Sequence, residues 1–190
     1  MSKTSLDIVI EDYLRKILLF IGDDPTREGL LKTPERIRRS WAELYGGYNQ
    51  DPKEILSTKF EDIPYHDMVT LEAISFFSTC EHHMLPFYGK AIIGYIPNSK
   101  IVGISKLARL VECYAHRLQT QEMLVGQIAD AIMNFLVPKG CGVIIRAQHM
   151  CMVARGVKNP TSVMTTSAMR GCFETDTTKH EFTTLALKGF

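Results

Sequence analysis

The chain has 190 residues, 45% of them hydrophobic, and a formal charge of +1. That length can bury one substantial core, so one domain with an N-terminal appendage is expected, and the near-neutral balance argues against a broad nucleic-acid surface. Five scattered cysteines do not read as a disulfide framework; with no signal-peptide series and no apolar run of bilayer length, the expectation is a reduced, cytoplasmic protein with no membrane partner.

Residues 5–21 place Leu6, Val9, Ile10, Tyr13, Leu14, Ile17, Leu18 and Ile21 at helical spacing, and Gly22 ends the run. Asp23-Asp24-Pro25-Thr26 reads as a turn. Thr33-Pro34-Glu35 predicts a second helix start, with Thr33 as N-cap and proline at the first helical position. Its expected buried stripe is Ile37, Trp41, Leu44 and Tyr45, and Gly46-Gly47 stops it. This segment, 1–66, is expected to be helical and carries no catalytic cluster.

From about Met68 the pattern changes. Met68–Phe77 and Lys90–Ile96 read as strands joined through a turn at Cys80–Phe87. A helix is predicted from Ser105, burying Leu107, Leu110, Val111, Tyr114 and Leu118. Another is predicted from about Gln121, burying Leu124, Ile128, Ile132 and Phe135 and ending before Pro138. Strands return at Gly142–Val153 and about Ser162–Phe173, and a short helix begins near Asp176. The order strand, strand, helix, helix, strand, strand predicts an α+β domain over 67–190, an antiparallel sheet with two helices on one face. The other face and the edges need a cover, and another subunit is the economical one.

The turn carries Ser78-Thr79-Cys80-Glu81-His82-His83, in which Cys80 and His83 have the spacing that closes two side chains on one metal ion. Thiolate with imidazole suits zinc, a borderline-soft and redox-inert ion. The best third ligand is Cys151, in His149-Met150-Cys151-Met152; on a strand, His149 and Cys151 would point to one face. Two cysteines and one histidine leave a fourth position for water, the catalytic rather than structural arrangement. Cys113, Cys141 and Cys172 each sit singly.

Lys106 and Arg109 fall in the first turn of the helix from Ser105, where cations oppose the helix dipole. A phosphate site would account for them, and a solvated face with surface ion pairs is the plain alternative. Arg155 is a third cation that could share the anion. Glu122 opens the next helix, where the dipole alone would favour it; alternatively it could accept a pair of N–H donors such as guanine presents.

The chain from about Asp24 onward resembles the GTP cyclohydrolase I family. The resemblance rests on Asp24-Pro25-Thr26-Arg27-Glu28-Gly29-Leu30, Thr33-Pro34-Glu35-Arg36, Cys80-Glu81-His82-His83, Ser105-Lys106-Leu107-Ala108-Arg109, Gln119-Thr120-Gln121-Glu122 and His149-Met150-Cys151-Met152-Val153-Ala154-Arg155-Gly156-Val157. It departs in small ways, with Thr120, Ile104 and Met123 where Val, Leu and Arg are frequent. The resemblance implies the T-fold, a ββααββ unit, and a homodecamer of two stacked pentamers with sites at subunit interfaces. It implies zinc on Cys80, His83 and Cys151. Glu122, with Gln121 beside it, is then expected to hold guanine; Lys106, Arg109 and Arg155 the triphosphate; and Ser105 to lie near the ribose. His82 and His149 match the catalytic histidines. The implied reaction converts GTP and water into 7,8-dihydroneopterin triphosphate and formate. Two other readings compete: a T-fold reductase of a deazapurine nitrile that uses a cysteine nucleophile and NADPH, and a non-enzymatic assembly module stapled by zinc.

Overall fold

Thr4 starts the first helix, α1 (Ser5–Phe20), with a capping box: its hydroxyl accepts from the Asp7 N–H at 3.2 Å and the Asp7 carboxylate accepts from the Thr4 N–H at 2.9 Å. The computed structural model describes residues 4–61 and 63–186. Residue 62 and the outer ends of the 1–66 and 67–190 division lie outside them. The chain divides into two compact units, Met1–Gly46 and Gly47–Phe190.

In the first unit, α1 buries Glu11, Leu14 and Leu18, but Leu6, Val9, Tyr13, Ile17 and Ile21 stay exposed, so the expected stripe is only partly covered. Arg38, on α2 (Thr33–Leu44), pairs with both Asp7 and Glu11 at 2.9 Å, which compensates the buried Glu11 charge. The N-cap of α2 is Lys32 rather than the expected Thr33. Lys32 takes that position because its carbonyl accepts the first helical bond, from the Arg36 N–H at 3.0 Å, while the Thr33 hydroxyl lies 3.5 Å from the Gly29 carbonyl. Ile37, Trp41 and Tyr45 are half-buried, and Leu44 is exposed.

The second unit begins before the strands do. Asp51 caps a short helix, α3 (Pro52–Ile55), and Leu56 beyond it is fully buried in the sheet's core, which ties this part of the 1–66 segment to the sheet. β1 (Lys59–Phe60) pairs with β4 (Ile101–Val102). The main sheet has the order β5-β2-β3-β6-β7. β2 (Val69–Cys80), β3 (Pro86–Ile96), β6 (Gly140–His149) and β7 (Met164–Gly171) are successive antiparallel neighbours, and β5 (Leu118–Gln119) joins the β2 edge in parallel. Between the hairpins run α4 (Ile104–Ala115) and α5 (Gln121–Leu136). Leu118, expected in the helical stripe, is in β5, because α4 stops at Ala115. α6 (Met150–Val153) follows β6, and α7 (Asp176–Ala186) follows β7. The ββααββ order is that of the T-fold.

Alternation along the strands sets two cores. Ala91, Ile93, Tyr95, Val143 and Ile145 face Leu107, Leu110, Leu124, Ile128 and Ile132 of α4 and α5. Ile92 and Ile144 face the other way, against Phe173, Phe182 and Ala186. Part of the face for which a second subunit was expected is thus covered by the chain's own α7. Gly94 and Gly142 make room for it: a Cβ at either would fall 2.7 or 2.6 Å from the Phe182 ring. Phe182→Ala is therefore expected to destabilise the fold by about 3–5 kcal/mol, the usual range for emptying a buried aromatic site. A fall in the urea midpoint with unchanged slope would measure it.

Candidate metal centre

The end of β2 is shaped to fold His83 back over Cys80. Cys80 pairs with Gln119 of β5, its N–H donates to the Leu85 carbonyl (2.9 Å), and its carbonyl accepts from the Met84 N–H (2.8 Å). Met84 takes the left-handed φ of 52° that so tight a turn demands. The result places Cys80 Sγ 3.9 Å from His83 Nδ1.

The third sulfur arrives by a different route from that expected. β6 ends at His149, paired with Phe87 near the start of β3. Beyond Phe87 only Pro86 remains of β3, so the ladder has no further partner and the chain turns into α6, which carries Cys151. The reading of Gly142–Val153 as one strand, with His149 and Cys151 on a common face, is corrected accordingly. The helical turn nonetheless brings Cys151 to the cluster: the donor atoms of Cys80, His83 and Cys151 all lie within 4.8 Å of one another.

This donor set fits a metal. Zinc bonds of about 2.3 Å to sulfur and 2.0–2.1 Å to nitrogen at tetrahedral angles would set sulfur and nitrogen about 3.6 Å apart, against the 3.9 Å seen for Cys80 and His83. Burial, and then the nearby Cys80 sulfur, push the Cys151 thiol up, while Arg155 pulls it down. Two thiolates side by side repel, and a cation between them reverses that penalty. Cys80 is buried, Cys151 half-buried and His83 exposed, so the cluster opens to solvent on its histidine side.

Beside it, His149 is held on two sides. Its ring stacks on Phe87 with centroids 4.7 Å apart and planes 2° from parallel. Its Nε2 lies 2.8 Å from Gln121 Oε1. Burial holds its pKa below the ordinary histidine value, with the Glu122 charge acting in the opposite direction. Glu122 is exposed at the start of α5, Arg155 is exposed beyond α6, and His82 stands out on the turn with Nε2 3.8 Å from Glu81 Oε1.

Ser105, Lys106 and Arg109 are placed elsewhere. Ser105 and Lys106 sit between Ile104 and Leu107, which line a hollow with Val69 and Thr70 where β2 starts, whereas Cys80 ends β2; Arg109, further along α4, faces Ser75, Phe76 and Phe77, partway toward that end. Twelve residues of strand span about 35 Å at ~3.3 Å per residue. Lys106 and Arg109 open instead on a hollow of about 500 Å³ shared with Asp51, Glu54 and Glu112. One chain therefore gathers Cys80, His82, His83, Gln121, Glu122, His149, Cys151 and Arg155 at one end of the sheet, leaves Ser105 and Lys106 toward the other, and sets Arg109 between them.

Phe87 as a partner of His149 was not foreseen, and neither was the burial of Gln121. A signal for the second was present. Gln121 precedes Leu124, Val125 and Ile128 by three, four and seven residues, the phase of the core stripe, and a polar side chain there needs internal partners. Away from the cluster, burial pushes the fully buried Cys141 thiol up to about 12. Cys141 is expected to resist alkylation in the folded protein at pH 8 and to react after unfolding, as peptide mass spectrometry would record.

These elements describe a T-fold that gathers its candidate site residues at one end of its sheet. The family model for GTP cyclohydrolase I matches residues 10–187. A relative named GTP cyclohydrolase 1 from Wolinella succinogenes is 60% identical over 92% of this chain and 94% of its own length. Those from Chlorobium phaeovibrioides (58%, over 85% and 73%) and Porphyromonas gingivalis (50%, over 93% and 91%) carry the same name. A crystal structure of the archaeosine synthase QueF-Like in the apo form aligns with 55% of this chain and 93% of its own, at TM-score 0.45 and 16% identity, a likeness too loose to bear on chemistry. The chain belongs to the GTP cyclohydrolase I family and is an enzyme of that kind. No helix among the described residues is long and apolar enough to cross a membrane.

Proposed function

We propose that this protein is a zinc-dependent GTP cyclohydrolase I that converts GTP and water into formate and 7,8-dihydroneopterin triphosphate, the first step of pterin and tetrahydrofolate synthesis, in the cytoplasm. The observation that carries this reading is the convergence of Cys80, His83 and Cys151 within 4.8 Å, beside a packed His149. Every side chain invoked lies within 67–190, the segment we assign to catalysis. Cys80, His83 and Cys151 would hold zinc, which when bound supplies a Lewis acid able to make water nucleophilic at neutral pH.

The chain's own groups supply the rest. The Glu122 carboxylate accepts from guanine N1–H and the exocyclic amine, a bidentate pair that selects guanine. A proton placed on N7 by a histidine, His149 or His82, makes C8 electrophilic enough for water to attack. The ring opens to a formamide, and a second hydrolysis releases formate. Rearrangement of the sugar and closure of the pterin ring then need acid–base groups near the ribose, where Ser105 and the second histidine serve. Arg155, Lys106 and Arg109 neutralise the triphosphate. Because Ser105 and Lys106 lie toward the opposite end of β2 from the cluster of their own chain, a neighbouring subunit supplies them, and Arg109 on the same helix comes with them. This supports a homo-oligomer, which we take to be a decamer of two pentamers.

The test is formate release from GTP by the purified protein, with metal content measured on the same sample. Formate together with a product that oxidises to a fluorescent pterin, lost on chelation and restored by zinc, is the expected result. A zinc-loaded, GTP-binding protein that releases no formate would leave only an assembly or binding role. Consumption of NADPH with a deazapurine nitrile would point to the reductase.

A further inference from the structure

Gln121 was expected to touch substrate, yet its side chain is fully buried and every polar atom on it is engaged inside the fold. Its Nε2 donates to the Ile145 carbonyl (3.1 Å) and the Met164 carbonyl (3.1 Å), with Thr166 Oγ1 at 3.0 Å. Carbonyl oxygens carry no hydrogen. Turning the amide over would set Oε1 against two acceptors, so the amide has one allowed orientation. Oε1 must then face His149 Nε2, 2.8 Å away. An acceptor at that distance requires a hydrogen on Nε2. In the neutral ring the lone pair is left on Nδ1, which has no protein hydrogen-bond partner among the described residues. The stacked Phe87 ring blocks rotation out of this plane.

We infer that Gln121 is a positioning residue: it fixes His149 as the Nε2–H tautomer, so that Nδ1 is the nitrogen that exchanges the proton with the substrate. The inference rests on the proposed reaction for its role, but not for the tautomer. The anchors of the amide come from β6 and β7, so the sheet itself decides which face of the imidazole is chemically active. A glutamine that contacted guanine directly would leave at least one of its polar atoms to the pocket, and Gln121 leaves none.

Two readouts test it. In ¹⁵N-histidine-labelled wild-type protein, solid-state NMR, with His149 assigned through a His149→Gln variant, should show Nε2 protonated and Nδ1 unprotonated in the neutral ring. In Gln121→Met the two tautomers should mix, and kcat should fall by about 10–100-fold, the usual cost of removing the partner that orients a functional histidine. KM for GTP should change by less than about threefold, since no substrate contact is lost. Gln121→Glu, which in its neutral form can still accept from Nε2–H while donating to a carbonyl, should recover part of kcat and the single tautomer. Wild-type protein protonated at Nδ1 overturns the inference whatever the variants do. A raised KM with kcat and tautomer unchanged overturns it too, and makes Gln121 a substrate contact. A wild type with the expected tautomer that releases no formate from GTP defeats the proposed reaction, and with it the proton-exchange role, while the tautomer assignment stands.

Discussion

Cys151→Ser is expected to abolish zinc retention and to lower formate release by about a thousandfold or more, because a nucleophilic water at neutral pH requires the ion. A serine hydroxyl does not ionise near neutral pH and is too hard a donor for the thiolate position. The substitution is small, and the side chain is only half-buried on the four-residue α6, so the fold should survive. Glu122, Gln121 and His149 are carried by α5 and β6 and keep their places, and GTP should still bind within a few-fold of wild-type affinity. Metal analysis, single-turnover formate release and nucleotide binding on one preparation separate these effects. Full formate release from a zinc-free Cys151→Ser protein would show that the ion has no part in the chemistry.

Two inactive variants should restore one another. Lys106→Ala removes a cation from the start of α4, and Cys151→Ser removes a ligand at the far end of the sheet. If each site takes its cluster from one chain and its α4 cations from a neighbour, mixed assemblies contain sites with both features intact. Random mixing of equal amounts should make about a quarter of the sites wild type in a closed homo-oligomer. Each parent alone should stay near background. Co-expression, purification through two different tags and a formate assay measure the recovery. A mixed oligomer with no recovered activity would mean that the α4 cations serve their own chain or none.

The sequence was most readable where one local rule acted alone. Helical periodicity found α5, and the change to strand patterning near Met68 located the start of β2 to within one residue, though the strand runs on past Phe77 to Cys80. The Cys-x-x-His spacing located the turn, since Cys80 and His83 are brought together by bonds among residues 80–85. Where a neighbour decides, the pattern misled. Met150–Val153 is apolar enough for a strand, but its fate was set by β3 running out of residues to pair with. Leu118 has the helical phase of α4, but its backbone is taken up by Thr79 on the edge of β2. The stripe on α1 is a true helical pattern that one chain leaves largely exposed. Gln121 was legible as a polar residue in a core phase, but not its partner, because the bonds that fix it come from strands that follow α5 in the chain.

The route by which Cys151 reaches Cys80 has a consequence for the order of events in folding. The two sulfurs are far apart along the chain, and in the folded protein they are joined through two ladders, β2 with β3 and β3 with β6, out to the terminal Phe87–His149 pair. An ion bound by all three donors therefore fastens a contact of long sequence separation, and its full stabilisation exists only when both ladders are joined. Folding and unfolding rates with and without zinc report when that happens: a contact made after the transition state slows unfolding alone, and one made before it speeds refolding.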